Sequence, residues 1–116
     1  MQRQTTAKLL LTAAFVFVLG YFGVDKFAHP LIWIGWIPSW IDGLFTLPRE
    51  TWLQIIGSFE VLLALLLLMP IRAVRQTGTI LIALHFTGIL TQVGWNDIAI
   101  RDIGLLLADI ALLSLI

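Results

Sequence analysis

The chain contains no cysteine, so it forms no disulfide, offers no thiolate to a metal and carries no thiol redox couple of its own. Charge is scarce as well: only 12% of the 116 residues are Asp, Glu, Lys or Arg, seven basic against seven acidic. A balanced, sparse charge leaves no basic surface to attract a phosphate backbone, and no nucleic-acid partner is expected. Phosphate-binding loops, Gly-x-Ser-x-Gly elbows and dinucleotide fingerprints are also missing, which removes the commonest enzymatic signatures. What is present in excess is apolar surface: 59% of residues are hydrophobic and the mean hydropathy is +0.99, beyond the composition of soluble globular domains. A spanning helix needs about 20 apolar residues, so residues 1–116 hold one small membrane domain.

Apolar stretches at residues 6–26, 50–69, 72–94 and 98–116 predict four spans, an all-α integral membrane four-helix bundle. Arg3 and Lys8 precede the apolar core of the first stretch as they would in a secretory signal, but no small-residue cleavage pattern follows, so it reads as a retained span. Residues 29–48 are interrupted by Pro30, Pro38, Gly43 and Pro48 and do not suit a crossing. They carry Trp33, Trp36 and Trp40, side chains that favour the headgroup region, and Pro38 is placed to open a short interfacial helix through Leu44. The short link opened by Pro70 makes spans two and three antiparallel neighbours, and Trp95-Asn96-Asp97 forms the last turn. Arg3, Lys8, Arg72 and Arg75 fall on one side. Lys26, Arg49 and Arg101 fall on the other, diluted by acids, so both termini are expected to be cytoplasmic.

Ionisable groups inside such spans carry the functional information, because a charge at the midplane costs roughly 3 kcal/mol even after relaxation. Counting helical rise from the outer boundary puts Glu60, His85 and Asp109 each ~15 Å deep. Small and polar residues recur on one face of each span: Gly20 and Gly23, then Gly57 and Glu60, then Gly78, His85, Gly88 and Gln92. A polar track therefore runs from Lys26, Arg101 and Asp102 at the rim, with Asp25, Gln92, Trp95 and Trp36 as mouth or wall, to Glu60, His85 and Asp109 in the middle. Glu60 is expected to meet His85, directly or through water, while Arg101 closes the mouth against Asp102 or against Asp25, the expected partner of Lys26. His29 and His85 differ too much in depth for a bis-histidine haem. Glu60, His85 and Asp109 have metal-ligand chemistry but no local spacing motif.

Three segments carry a family resemblance: Gly20-Tyr21-Phe22-Gly23-Val24-Asp25-Lys26-Phe27, Gly57-Ser58-Phe59-Glu60-Val61-Leu62-Leu63-Ala64, and Arg101-Asp102-Ile103-Gly104-Leu105-Leu106. In order and spacing they resemble the DoxX family of small four-helix bacterial membrane proteins, over nearly the whole chain. The resemblance implies a four-helix bundle in the bacterial inner membrane and, for some members, association with quinone-linked sulfur oxidation or thiol-stress oxidoreductases. Lys26, Glu60 and Arg101 match the family's recurrent polar positions. The expectation is an accessory membrane subunit of a quinone-linked redox assembly, with a quinone as the candidate cofactor and redox-enzyme subunits or further copies of the chain as partners besides the lipid bilayer. Two other readings stand beside it: a proton-coupled carrier or lipid and metabolite binder, and a structural subunit whose polar groups only fasten the helices.

Overall fold

The computed structural model describes residues 2–37, 39–42 and 44–116, and among these every regular element is helical. Four long helices, α1 (Gln2–Ala28), α3 (Arg49–Leu68), α4 (Arg72–Val93) and α5 (Asp97–Leu115), are joined by a short α2 (Pro30–Trp33) and by 3-10 turns at Ile34–Trp36, Ser39–Ile41 and Leu44–Thr46. The breaks follow local chemistry. Pro30 opens α2, where a missing N–H costs nothing, and Gly94 ends α4 with a φ of 75°. The Asn96 side chain then caps α5 by accepting from the Ala99 amide at 3.0 Å. Pro38, the expected first residue of an interfacial helix, lies outside the described residues, as does Gly43. Around them the chain forms separate 3-10 turns rather than one helix to Leu44, and the α-helical turn of this segment starts at Pro30 instead.

The long helices close a ring in which α1 packs chiefly on α3 and α4 on α5, with α3 against α4 and α1 against α5 completing it. Buried residues on α1 fall at Phe15, Leu19, Gly23 and Lys26, one stripe at helical spacing that faces Leu53, Gly57, Glu60, Ala64 and Leu67 of α3. Gly23 and Gly57 let the two backbones touch: a Cβ on either would lie 2.8 Å from the other's carbonyl oxygen. Gly20, expected in the same contact, has no atom within 4 Å of its Cβ position, because it sits about a quarter of a turn around the helix from the stripe. A core of Phe15, Leu19, Leu63, Leu67, Ile82, Phe86 and Leu112 fills the ring.

The 29–48 segment does not cross the molecule as a long helix but folds onto α3. Ile37 and Ile41 bury against Leu53, and Arg49 fastens the segment by donating to Asp42 at 2.6 and 3.2 Å and to the Ile34 and Ile37 carbonyls at 3.0 and 3.2 Å. The distribution of polarity is inverted relative to a soluble bundle. Lys26, Glu60, Thr79, Asp102 and Asp109 are buried, while Phe17 on α1 is 73% exposed, Leu62 on α3 50%, Leu84 on α4 64% and Leu107 on α5 63%. Two helices, α1 and α3, are long and apolar enough to cross a membrane.

Candidate functional site

The site is built around Glu60. Its Oε1 lies 2.5 Å from the Lys26 ammonium of α1, and its Oε2 lies 3.3 Å from His85 Nε2 of α4, with all three side chains nearly withdrawn from solvent. The Lys26 contact is one of charge, since Oε1 accepts no well-directed hydrogen bond. Gly23 and Gly57 position it: with no side chains between them, α1 approaches α3 closely enough for Lys26, one turn further along, to reach the carboxylate. Lys26 Nζ also donates to the Phe22 carbonyl at 3.4 Å and lies 4.3 Å from the Trp33 ring centroid, so a π-face covers its outer side. When Glu60 is ionised its carboxylate only accepts, so the His85 contact then runs from an N–H on Nε2.

A second polar pair on α5 lines the same cavity. Arg101 donates from Nε to Asp102 Oδ1 at 3.1 Å, and its Nη2 approaches the same oxygen at 3.1 Å. Asp102 is fully buried, and its other oxygen, Oδ2, has no hydrogen-bond partner. The Arg101 guanidinium lies 5.1 Å from the Phe22 ring, which also lies 6.0 Å from Lys26 Nζ and meets the Trp33 ring edge-on at 5.2 Å.

Between these groups lies a cavity of about 450 Å³ lined by all four long helices and by the 29–48 segment. Its walls are mostly apolar, including Val18, Leu19, Leu53, Ile56, Ile89 and Leu105, and its polar groups are those of Lys26, Glu60, His85, Arg101, Asp102 and Gln92. The exposed part of the lining runs along α4 at Leu84, Gly88, Thr91 and Gln92 and across to Trp36 and Trp40. Trp40 closes that edge by donating its indole N–H to Gln92 Oε1 at 2.9 Å.

The structure therefore brings together Lys26, Glu60, His85, Arg101, Asp102, Gln92 and Trp36 from the expected set. The expected Glu60 and His85 contact is present, and Arg101 takes Asp102. Three expectations are corrected. Lys26 pairs with Glu60 rather than Asp25, because its long stem runs inward past the glycine contact; Asp25 instead accepts from Trp33 Nε1 at 2.7 Å and holds His29 at 2.7 Å. Asp109 stays out of the cavity. The lining from α5 ends at Leu105, one turn (~6 Å) short of it, and Asp109 is fully buried with neither carboxylate oxygen hydrogen-bonded. Counting rise from each helix's own end missed this, since the offset between helices is set by packing. Trp95, expected in the wall, is 80% exposed and outside the lining. Trp33 was legible only as an interfacial anchor, and its place over Lys26 has no signal in the sequence. Among the described residues no three His, Cys, Asp or Glu side chains gather as a metal site.

No protein-family model matches the chain, and neither curated proteins nor solved structures yield a match.

Proposed function

We propose that this protein is a DoxX-like, four-span protein of the bacterial inner membrane with cytoplasmic termini, an accessory subunit of a quinone-linked redox assembly that holds the quinone head group in its internal cavity. The observation that carries the reading is the buried Lys26, Glu60 and His85 cluster in the wall of an otherwise apolar, 450 Å³ cavity. Buried ionisable groups inside an apolar-surfaced bundle are costly even when paired, and they mark candidate ligand or proton sites. The apolar exterior on all four long helices supports burial in lipid, and an exposed rim along the flank of α4 suits entry of a hydrophobic molecule from the bilayer. A quinone fits the donors present: the Lys26 ammonium and the remaining N–H groups of Arg101 suit its carbonyl oxygens, and the apolar lining suits its ring. When bound, the quinone supplies the electron-accepting chemistry. This chain's own residues orient the head group, shield it from water, and hold protons at His85 and Glu60.

The test is binding of a short-chain ubiquinone or menaquinone analogue to the protein in nanodiscs, followed by quenching of the cavity tryptophans. Saturable quenching weakened at least about tenfold by Arg101→Ala or Glu60→Gln is expected. Quenching that never saturates, or that ignores both substitutions, refutes the reading. Solute flux into proteoliposomes that follows a proton gradient and is abolished by Glu60→Gln would favour the carrier instead.

A further inference from the structure

The outer end of the cavity is tied shut, and its flank is not. Trp33 of the 29–48 segment donates to Asp25 of α1 at 2.7 Å, Ile37 and Ile41 bury against Leu53 of α3, and Trp40 donates to Gln92 of α4 at 2.9 Å. One segment thus joins the outer ends of three helices. Inward from Gln92 the lining continues along α4 through Gly88 to Leu84, at i, i+4 and i+8, a single ridge about 12 Å long. That ridge is exposed, and a Cβ on Gly88 would meet nothing within 4 Å. Its inner end, Leu84, adjoins His85, which reaches Glu60, so the opening runs along the apolar length of the helix rather than at its water-facing end. Inside, Lys26 is committed to Glu60, but Arg101 is only partly committed to Asp102. Its contacts use Nε and Nη2, its side chain is 45% exposed, and Nη1 has no partner among the described residues. A neutral carbonyl oxygen satisfies those donors, whereas an anion would add net charge to a wall in which each cation already faces a carboxylate. We infer that the cavity is a side-entry lipid site: a chain-bearing lipid with a neutral carbonyl head group enters past Gly88, sets its carbonyl on Arg101 and leaves its chain over the Gly88 ridge toward the bilayer. The inference rests on the proposed burial in a membrane, requires no redox role, and names the route and the ligand class.

The test uses photoactivatable probes in phosphatidylcholine nanodiscs: a long-chain methyl ketone with a diazirine partway along the chain, the same chain ending in a sulfonate, and the same chain with no head group. Cross-links are mapped by peptide mass spectrometry. On the wild-type protein the ketone is expected to label the ridge from Leu84 to Gln92 saturably, at about a tenth or less of the concentration that either other probe requires. Gly88→Trp puts a ring in the opening without meeting backbone, so ketone labelling should weaken about tenfold or more. Gly20→Trp, at a glycine equally free of neighbours but outside the lining, should leave it unchanged. Arg101→Met should bring the ketone down to the level of the chain without a head group. Labelling spread evenly over the exposed Phe17, Leu62 and Leu107, or ridge labelling indifferent to Gly88→Trp, overturns side entry. Equal labelling by all three probes, or tighter labelling by the sulfonate, overturns carbonyl recognition. The wild-type map and the ranking of the probes decide the matter even if a variant does not fold. Saturable ketone labelling that a ubiquinone analogue fails to displace supports the inference and refutes the quinone-holding function, so the two fail separately.

Discussion

Gly23 and Gly57 cross backbone to backbone, each placing a carbonyl oxygen where the other's Cβ would stand 2.8 Å away. The Lys26 contact with Glu60 depends on that crossing, which brings the ammonium within reach of the carboxylate. Adding one methyl group is therefore expected to cost about 1–3 kcal/mol at either glycine, since each would meet the other's backbone carbonyl, with Val61 also crowding Gly23 and Phe27 and Lys26 crowding Gly57. Gly20→Ala and Gly88→Ala meet nothing within 4 Å and should be neutral or slightly stabilising, by up to about 1 kcal/mol of helix propensity. Thermal unfolding in detergent of the four single variants checks the pattern. Equal effects at Gly20 and Gly23 would contradict the crossing.

Removing one member of the Lys26 and Glu60 pair leaves the other charge buried and uncompensated. Lys26→Met or Glu60→Gln alone should destabilise by roughly 3–5 kcal/mol, whereas the double substitution should recover a large part of that loss. The measurement is a double-mutant cycle on detergent-solubilised protein. Strict additivity of the two single effects would mean that the ammonium and carboxylate do not act as a pair.

Asp109 offers the opposite expectation. A fully buried carboxyl group with no hydrogen bond is a liability, so Asp109→Leu should raise stability by about 1–3 kcal/mol and leave probe binding in the cavity unchanged. Weaker quinone-analogue binding in Asp109→Leu would place this side chain back in the site.

The indoles of the 29–48 segment test the proposed membrane topology. Trp33, Trp36 and Trp40 are expected at headgroup depth, so lipids carrying a quencher near the glycerol should quench them more strongly than lipids labelled at the acyl-chain end. Variants retaining only these tryptophans isolate the signal. Stronger quenching from the deep label would reject an interfacial position for the segment.

The sequence by itself determined where the long helices run, to within a few residues at most ends, because apolar run length and the punctuation by Pro30, Pro48, Pro70, Gly94 and Asn96 are local properties. It also singled out most of the polar residues that line the cavity, since any ionisable group in such an apolar segment is conspicuous, and the pairing of Glu60 with His85 followed from their equal depth. Only the tertiary structure decided that Lys26 is the third member of the cluster, that Asp25 turns outward to His29 and Trp33, and that Asp109 is left alone in the core. Helical rise measures depth along one helix from its own end. The offset between helices is set by side-chain packing and by close approaches such as that of Gly23 to Gly57, and a flexible lysine stem spans more than a turn of helix. Which polar groups meet is therefore a property of the assembled bundle, whose interhelical offsets no single segment encodes.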